Sequence, residues 1–544
     1  MYKMNKKKII VIILVLILGA FLRFFKLDEF PIQLNHDEVS QAYDTYSIIK
    51  TGKDINGNFL PLAFPSTGDY KVGHYIYLST IPFYFFGDKE FAIRIPAAFF
   101  GSLTVLAVFL FINVLTKNWN ISILAALLVA ITPSEIFYSR KSFENVIGVC
   151  FELFGLFCLF NNLLNNKRKA WVYLGIFLMS VAMYFYTSHV ITVPLILILI
   201  IFNFRKKIQY QKKYLISLFL SWIIFITPLL FLIITDAGLR FRAASVFVNQ
   251  DTNFGRTVNL TGNYFKSYVD IIFLKFLNQF NPTYIFVNGL DLTNQKILGI
   301  GPLLFCQLPL VILGMIFLLR NNIYLIQRRF LFGLFLISII PSALTFEDYS
   351  PHRSMLAFTT LSIISAFGLY WLVFWIKREM PYVRFRNYLL GFIGFCLVLN
   401  LIYFLRIYTQ SYPFEKSEKM QYPFKQISLY MWSQYNNFEQ IVFDPKLGET
   451  TPFIGVGAQY YLAYYGNYSP KKMQKELRTG KKKRELIFDK FSIREVYWPE
   501  DRNLKNTLII VSPWSVPFSD VDKNLIIKKF YFYDGTLAFY AIRL

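Results

Sequence analysis

Residues 35–61 read NHDEVSQAYDTYSIIKTGKDINGNFLP and come directly after the first apolar segment of the chain. Between Asp37 and Lys50, apolar side chains recur at helical spacing, at Val39, Ala42, Tyr43, Tyr46 and Ile49. This pattern predicts an amphipathic helix that lies in a membrane interface. The acidic pair Asp37 and Glu38 opens the helix, where carboxylates are partly desolvated but still reachable from water and from lipid head groups. Such a position is typical of a functional site.

The composition indicates a membrane protein with many spans. Of 544 residues, 55% are hydrophobic and only 17% are charged, which is too apolar for an ordinary soluble protein. The net charge of +24 lies mostly in short clusters between apolar runs, as in cytoplasmic loops, and no basic stripe with stacking aromatics predicts nucleic-acid binding. No disulfide framework or CxxC metal site is predicted, because all four cysteines lie inside apolar segments, at Cys150, Cys158, Cys306 and Cys396.

Eleven apolar stretches predict helices that cross the cell membrane. They lie near residues 9–22, 92–115, 121–138, 145–164, 171–187, 190–204, 214–234, 298–319, 330–346, 354–376 and 387–407. Basic residues cluster in alternate connections, so the positive-inside rule predicts a cytoplasmic N-terminus. No small-residue cleavage site follows the first stretch, which favours a retained helix over a cleaved signal peptide.

After residue 407 the hydrophobic runs shorten to strand length. They include QIVFD at 440–444, EVYW at 495–498 and TLIIVS at 507–512, and two closing runs joined at Asp534 and Gly535 predict a hairpin. Residues 460–465 have a helical pattern. We therefore expect two domains, a transmembrane domain at 1–407 and a small α/β extracytoplasmic domain at 408–544.

Further charged residues fall on the outer side of the predicted topology, at the level of the acidic pair. They are Lys71, Arg140, Glu144, His352 and Arg353. Each also has a structural interpretation: Lys71 is placed to extend toward the head groups from an apolar stretch, Arg140 and Glu144 share one helix face at the spacing of an ion pair, and the others anchor a helix end. Their coincidence on one side favours a reaction between a lipid phosphate and a hydroxyl, in which a carboxylate takes the proton and cations stabilise the departing phosphate.

Asp37 and Glu38 cannot act as one carboxylate pair, because neighbours on a helix point about 100° apart. One of them faces the predicted site, and the alternative is an acidic first turn that stabilises the helix N-terminus. The sequence has no GxxxxGK, HExxH or GxSxG motif. No metal site is assigned, although His36 and His74 with nearby carboxylates leave a divalent cation open.

These residues resemble the GT-C class of membrane glycosyltransferases, in the bacterial branch related to protein O-mannosyltransferases and to the aminoarabinose transferase of lipid A. The resemblance rests on His36-Asp37-Glu38, TGKDINGNFLP at 51–61, the Lys71 segment, GDKEFAIRIP at 87–96 and residues 133–144. It implies a polytopic α-helical fold with interfacial helices in the first outer loop, a polyprenyl-phosphate sugar donor and inverting displacement at the anomeric carbon. It also implies Asp37 as the general base, with Glu144 at the place of a second functional acidic residue.

Two other functions remain open from the residues alone. A transporter or flippase of lipid-linked saccharides would place substrate-lining charges inside the helix bundle. A ligase or polymerase that uses lipid diphosphates would need more basic outer loops. The first loop with its acidic pair favours the transferase, whose partners would be a polyprenyl-phosphate-linked sugar, membrane lipids and an acceptor lipid, polymer or protein.

Overall fold

The computed structural model describes residues 5–65, 70–165, 168–208, 212–290, 299–479, 481–482 and 485–544. Internal contacts divide the chain into two compact units. The helical unit consists of Met1–Leu27 with Arg94–Ile407, and the sheet unit of Asp28–Ile93 with Tyr408–Leu544. One boundary thus lies at the predicted domain limit, while the segment after the first helix is grouped with the tail. The two functional domains themselves stay a prediction.

Helices make up most of the described chain. In chain order they are α1 (Lys6–Phe24), α2 (His36–Thr51), α3 (His74–Phe86), α4 (Glu90–Thr116), α5 (Trp119–Ile131), α6 (Pro133–Ser139), α7 (Glu144–Asn165), α8 (Ala170–Phe185), α9 (Thr187–Ile208), α10 (Lys212–Thr235), α11 (Ala237–Val246), α12 (Phe254–Thr261), α13 (Tyr264–Asn278), α14 (Gln307–Arg320), α15 (Leu325–Ala343), α16 (Met355–Glu379), α17 (Val383–Arg406), α18 (Tyr412–Lys416), α19 (Pro423–Ser433), α20 (Ala458–Tyr465), α21 (Pro470–Thr479) and α22 (Trp498–Asp501).

The strands lie in the sheet unit. They are β1 (Ala63–Pro65), β2 (Tyr70–Val72), β3 (Gln440–Phe443), β4 (Lys446–Leu447), β5 (Phe453–Ile454), β6 (Lys481–Lys482), β7 (Glu485–Phe488), β8 (Phe491–Ile493), β9 (Thr507–Val511), β10 (Ile526–Tyr531) and β11 (Leu537–Arg543). Among the described residues the main sheet has the order β10, β11, β9, β3, β8, β7, β6. Its central strand β3 is parallel to β8 and β9, and the predicted closing hairpin is confirmed as the antiparallel pair β10 and β11.

Each of the eleven apolar stretches predicted as spans overlaps a helix. The stretch at 298–319 is helical only from Gln307, the first residue of α14, and residue 298 lies outside the described residues. In the described chain, seven helices are long and apolar enough to cross a membrane, and α5 with α6 adds an eighth candidate that is bent by 55°. The apolar helices α8 and α14 are shorter, and α1 begins with lysines and carries the buried Arg23 near its end. The chain is therefore a multi-pass membrane protein, with fewer helices of full spanning length than the eleven predicted.

Close helix packing in the helical unit depends on small residues. A Cβ at Gly314 of α14 would lie 2.0 Å from the carbonyl oxygen of Ile364 in α16, and one at Gly368 would lie 2.0 Å from that of Leu310. Glycine at both positions lets the two backbones touch, as is usual where membrane helices pack without a hydrophobic driving force between them.

In the sheet unit, the tail surrounds helix α2. The Tyr461 hydroxyl of α20 donates to the carbonyl of Leu34 at 3.0 Å, and the Tyr43 hydroxyl of α2 donates to the carbonyl of Tyr468 at 3.0 Å. The Gln474 amide of α21 donates to Ser47 Oγ, Thr51 Oγ1 and the Asp54 carbonyl at 3.1, 3.0 and 3.0 Å. The helix predicted at the start of the chain is therefore held by residues more than 400 positions later.

The predicted strand EVYW at 495–498 is wrong. The backbone N–H of Val496 donates to Asp444 Oδ2 and that of Tyr497 donates to Asp501 Oδ2, at 2.9 and 2.7 Å. Side-chain carboxylates thus take the donors that a strand would offer to its neighbour. Helix α22 starts at Trp498 instead.

Candidate active site

A capping box fixes the start of α2. The Asn35 side chain accepts hydrogen bonds from the backbone N–H groups of Asp37 and Glu38, each at 2.9 Å. In return, the Glu38 carboxylate accepts from the Asn35 N–H at 3.1 Å. This reciprocal arrangement satisfies backbone donors that a helix N-terminus otherwise leaves unpaired. Glu38 is buried, and its observed contact is structural.

Asp37 has the opposite environment. Its side chain is 59% exposed, and its Oδ2 lies 3.6 Å from His36 Nε2. The capping bond uses only the backbone N–H of Asp37 and does not involve its carboxylate. Of the adjacent pair Asp37 and Glu38, Asp37 is therefore the residue that a substrate in solution can reach.

Lys71 is held against the same helix by a short hairpin. Strands β1 and β2 pair so that Lys71 lies opposite Phe64, and a Cβ at Gly73 would lie 2.2 Å from the Phe64 ring, so glycine lets the hairpin close. The Lys71 ammonium is buried and donates to Ser40 Oγ at 2.6 Å and, more weakly, to the Asp37 carbonyl at 3.5 Å. A cation on β2 therefore contacts the same first turns of α2 that carry the reachable carboxylate.

Asp44 is a buried acidic residue on α2 that the sequence analysis did not select. It is fully buried, and burial raises the pKa of its carboxyl group to about 8, although the Lys71 charge acts in the opposite direction. The available signal was its position seven residues after Asp37, which places both residues on one face of a helix. Helical spacing alone, however, does not show that a carboxyl group is buried.

In the helical unit, Arg140 ends α6 and Glu144 begins α7, so the predicted shared helix face is wrong. The Arg140 guanidinium is buried and donates to the carbonyls of Leu22, Arg23 and Lys26 at 3.1, 3.3 and 3.0 Å. These carbonyls lie at the C-terminal end of α1, where cations are stabilised by the helix dipole. Glu144 is half-buried in the first turn of its helix.

His352 and Arg353 belong to a loop with many polar contacts between α15 and α16. Arg353 Nη1 donates to Glu347 Oε2 at 2.8 Å and to Ser350 Oγ at 2.9 Å. The His352 ring meets Phe143 edge-on at 5.9 Å between centroids, and its carbonyl accepts from the Asn145 amide. The loop is thereby joined to the start of α7, beside Glu144.

A buried lysine on α13 holds the other end of this loop. Lys275 Nζ lies 2.7 Å from Asp251 Oδ2 and 3.0 Å from Asp348 Oδ1, and it donates to the Phe346 carbonyl at 2.8 Å. Burial alone would raise the pKa of Asp251, but hydrogen bonds from Lys275 and Asn253 and the Lys275 charge together lower it. No pattern in the sequence pairs residue 275 with residues 251 and 348.

Replacing Lys275 by methionine is expected to lower the melting temperature, because the buried Asp251 carboxylate loses its cation, a change that costs about 3 to 5 kcal/mol in buried pairs. A lowered carboxyl pKa contributes stability that is lost as pH falls, so the deficit should shrink in acid. Thermal melts from pH 4 to 8 measure this, with the exposed Lys266→Met on the same helix as control. An equal deficit at every pH would contradict the assigned charge interaction.

Metal binding requires several His, Cys, Asp or Glu side chains that lie close together. Within the described ranges, no group of three or more His, Cys, Asp and Glu side chains is arranged to hold a metal ion. His36 does lie near the Asp37 carboxylate. A single histidine beside one carboxylate falls short of the three protein ligands of a typical catalytic zinc site.

The whole chain is similar in structure to ArnT from Cupriavidus metallidurans. The apo form aligns over 98% of this chain and 97% of that chain, with a TM-score of 0.54 and 10% identity. The form bound to undecaprenyl phosphate aligns over the same shares with a TM-score of 0.51 and 10% identity. The Archaeoglobus fulgidus oligosaccharyltransferase in the apo form aligns over 86% of this chain and 64% of that chain, with a TM-score of 0.50 and 12% identity. The chain has the GT-C fold.

A sequence comparison supports the same class for part of the GT-C chain. The family model of dolichyl-phosphate-mannose-protein mannosyltransferases matches residues 74–231. This range contains Arg140 and Glu144 and leaves out Asp37, Lys71 and the His352 loop. No curated protein matches the chain by sequence. The predicted resemblance is confirmed at the level of fold and family model, and the individual site residues stay predictions.

Proposed function

We propose that this GT-C protein is an inverting glycosyltransferase of the cell membrane. It moves a sugar from a polyprenyl-phosphate donor to a hydroxyl group of a lipid, polymer or protein acceptor on the outer face. The N-terminus is cytoplasmic and the C-terminal part of the sheet unit is extracytoplasmic. The fold and the family model that this chain shares with glycosyltransferases support this proposal.

The observation that carries the proposal is the arrangement on α2. A 59% exposed carboxylate, Asp37, stands one helical turn from Ser40, and Ser40 receives the buried Lys71 ammonium at 2.6 Å. An ammonium has three donors, and in the part of the chain that the structure describes Lys71 makes two contacts, both on α2, which leaves a donor for a phosphate oxygen. A base for a hydroxyl and a cation for a phosphate are the two groups that this transfer needs.

The transfer reaction needs a base and a cation, and Asp37 and Lys71 supply them in this proposal. The acceptor oxygen attacks the anomeric carbon of the donor sugar, and Asp37 takes the hydroxyl proton. The bond from the anomeric carbon to the phosphate oxygen breaks, and the polyprenyl phosphate leaves with the electron pair. Lys71 stabilises the charge that grows on this phosphate. Attack from the side opposite the leaving group inverts the anomeric centre.

The helical unit supplies further proposed residues. Glu144 is proposed as a second acidic residue, and His352 and Arg353 as donors to the phosphate. Arg353 donates to Glu347 and Ser350, so a donor phosphate would have to compete with the Glu347 carboxylate for this guanidinium. Arg140 was also predicted to bind phosphate, but its buried guanidinium already donates to the carbonyls of Leu22, Arg23 and Lys26. We therefore expect Arg140 to contribute mainly to folding.

A panel of radiolabelled polyprenyl-phosphate sugars tests the function. Purified protein in membranes should transfer label from one donor to an acceptor that chromatography separates from the donor lipid, and Asp37→Asn should strongly reduce this transfer. Label that crosses sealed vesicles while still attached to its lipid would support the transporter instead. Transfer from lipid diphosphates alone would support the ligase or polymerase.

Replacing Lys71 by methionine is expected to raise the apparent Michaelis constant for the donor by roughly 10- to 100-fold. The physical reason is the loss of a charge-assisted hydrogen bond, which is worth about 1.5 to 3 kcal/mol. Methionine keeps the unbranched side chain as far as Cε, so the hairpin should still close over it. Lys89→Met, an exposed lysine of the same unit, is the control. Equal effects of both substitutions would rule out a specific phosphate site at Lys71.

A further inference from the structure

Asp44 lies on the face of α2 that carries the proposed chemistry, two turns after Asp37. It is fully buried within the sheet unit, whereas carboxylates are almost never fully buried unless they are paired. Among the described residues, no side chain donates a hydrogen bond of good geometry to either carboxylate oxygen. The backbone N–H of Ile55 faces the carboxyl group from the loop after α2.

Within the described residues, the titratable groups that act on Asp44 or are acted on by it come from four elements. They are Lys71 of β2, Asp54 of the loop after α2, Tyr43 of α2 and Tyr460 of α20. Asp54 accepts hydrogen bonds from Asn56 and Asn58, while the hydroxyls of Tyr43 and Tyr460 donate to the Tyr468 and Pro65 carbonyls. Among these described groups, Lys71 has the opposite charge to an ionised Asp44 and Asp54 has the same charge.

A buried lysine beside a carboxylate normally forms a neutral ion pair, and such a pair has little attraction left for an incoming anion. In this site the carboxyl group stays protonated at neutral pH, since burial raises its pKa to about 8. The Lys71 ammonium contacts neutral oxygens, the Ser40 hydroxyl and the Asp37 carbonyl. At neutral pH the two residues together thus carry one positive charge.

We propose that Asp44 is a positioning residue of the donor site: as a neutral carboxyl group it leaves the Lys71 charge to the donor phosphate, and when ionised it competes with that phosphate for the ammonium. The inference rests on the proposed function, because it takes Lys71 as the phosphate ligand. It adds a dependence on pH that Lys71 alone does not produce. A bound phosphate in turn keeps the proton on Asp44, since a second negative charge there would be repelled.

The test measures the binding of undecaprenyl methyl phosphate, a phosphodiester that carries one negative charge throughout the range, to the full-length protein from pH 6 to 9. For the wild-type protein we expect the dissociation constant to rise about tenfold between pH 7 and 9, as a carboxyl group with a pKa of about 8 ionises. Asp44→Asn has the same shape and no charge, so its dissociation constant should stay level. Glu500→Gln, at an exposed carboxylate of the same unit, should keep the wild-type rise.

A pH dependence that persists in Asp44→Asn would overturn the inference and leave the donor site intact. Binding that Lys71→Met does not weaken would instead overturn the proposed donor site, and the inference with it. Asp44→Leu, also of similar volume and without charge, replaces the asparagine variant if that one does not fold.

Thermal melts give an independent measure of the buried proton. A carboxyl pKa that is raised by folding lowers stability as pH rises, so the melting temperature of Asp44→Asn should exceed that of the wild-type protein by a growing amount from pH 5 to 8. No gain would overturn the assignment of a buried proton to Asp44.

Discussion

Asp37→Asn is expected to reduce the turnover of sugar transfer by about 10² to 10⁴, which is the usual contribution of a general base. The amide has the shape of the carboxylate but cannot accept the proton of the acceptor hydroxyl. Folding should be preserved, because the capping bond to Asn35 uses the backbone N–H of residue 37 and the side chain is largely exposed. Turnover at saturating donor, measured together with donor binding, separates the loss of the base from a loss of affinity.

The neighbouring carboxylate is the matched control for this experiment. Glu38 accepts a hydrogen bond from the Asn35 N–H, and glutamine can make the same contact in a capping box. Glu38→Gln should therefore keep most of the turnover and the stability. If Asp37→Asn transfers sugar at the wild-type rate, Asp37 has no role in the chemistry. If Glu38→Gln shows the larger loss, the two acidic residues have exchanged their proposed roles.

Much of the fold was predictable because it depends on local patterns. Apolar length located a helix in each of the eleven predicted stretches, although the one at 298–319 is helical only from Gln307. The turn at Asp534 and Gly535 joined two strands that do pair. The EVYW segment at 495–498 has the composition of a strand and is not one. Its backbone donors are taken by Asp444 and Asp501, which lie outside the segment. Local propensity does not include such contacts.

The local features of the candidate site were predictable, and its burial and distant contacts were not. Helical spacing from Asp37 placed the acidic pair on α2, but did not distinguish the exposed Asp37 from the capping Glu38. Arg140 shows the limit most clearly. Its charge and its position near a membrane surface predicted a phosphate ligand. In the structure it instead donates to carbonyls at the end of α1, a helix that begins more than 130 residues earlier. Burial and distant partners decide what a charged residue does, and a single sequence reports neither.

Deletion of residues 408–544 is expected to abolish both sugar transfer and donor hydrolysis, because the tail forms one compact unit with the loop that carries Asp37 and Lys71. Without it, α2 loses its contacts with Tyr461, Tyr468 and Gln474. Release of sugar from a labelled donor measures the effect without requiring an acceptor. The single substitution Gln474→Ala should lower the melting temperature and the rate of sugar release. Lost hydrogen bonds cost about 1 to 3 kcal/mol when their partners stay buried. Asn503→Ala, on the exposed surface, is the control and should change neither quantity. Undiminished donor hydrolysis by the shortened protein would show that the tail acts on the acceptor alone and does not hold α2.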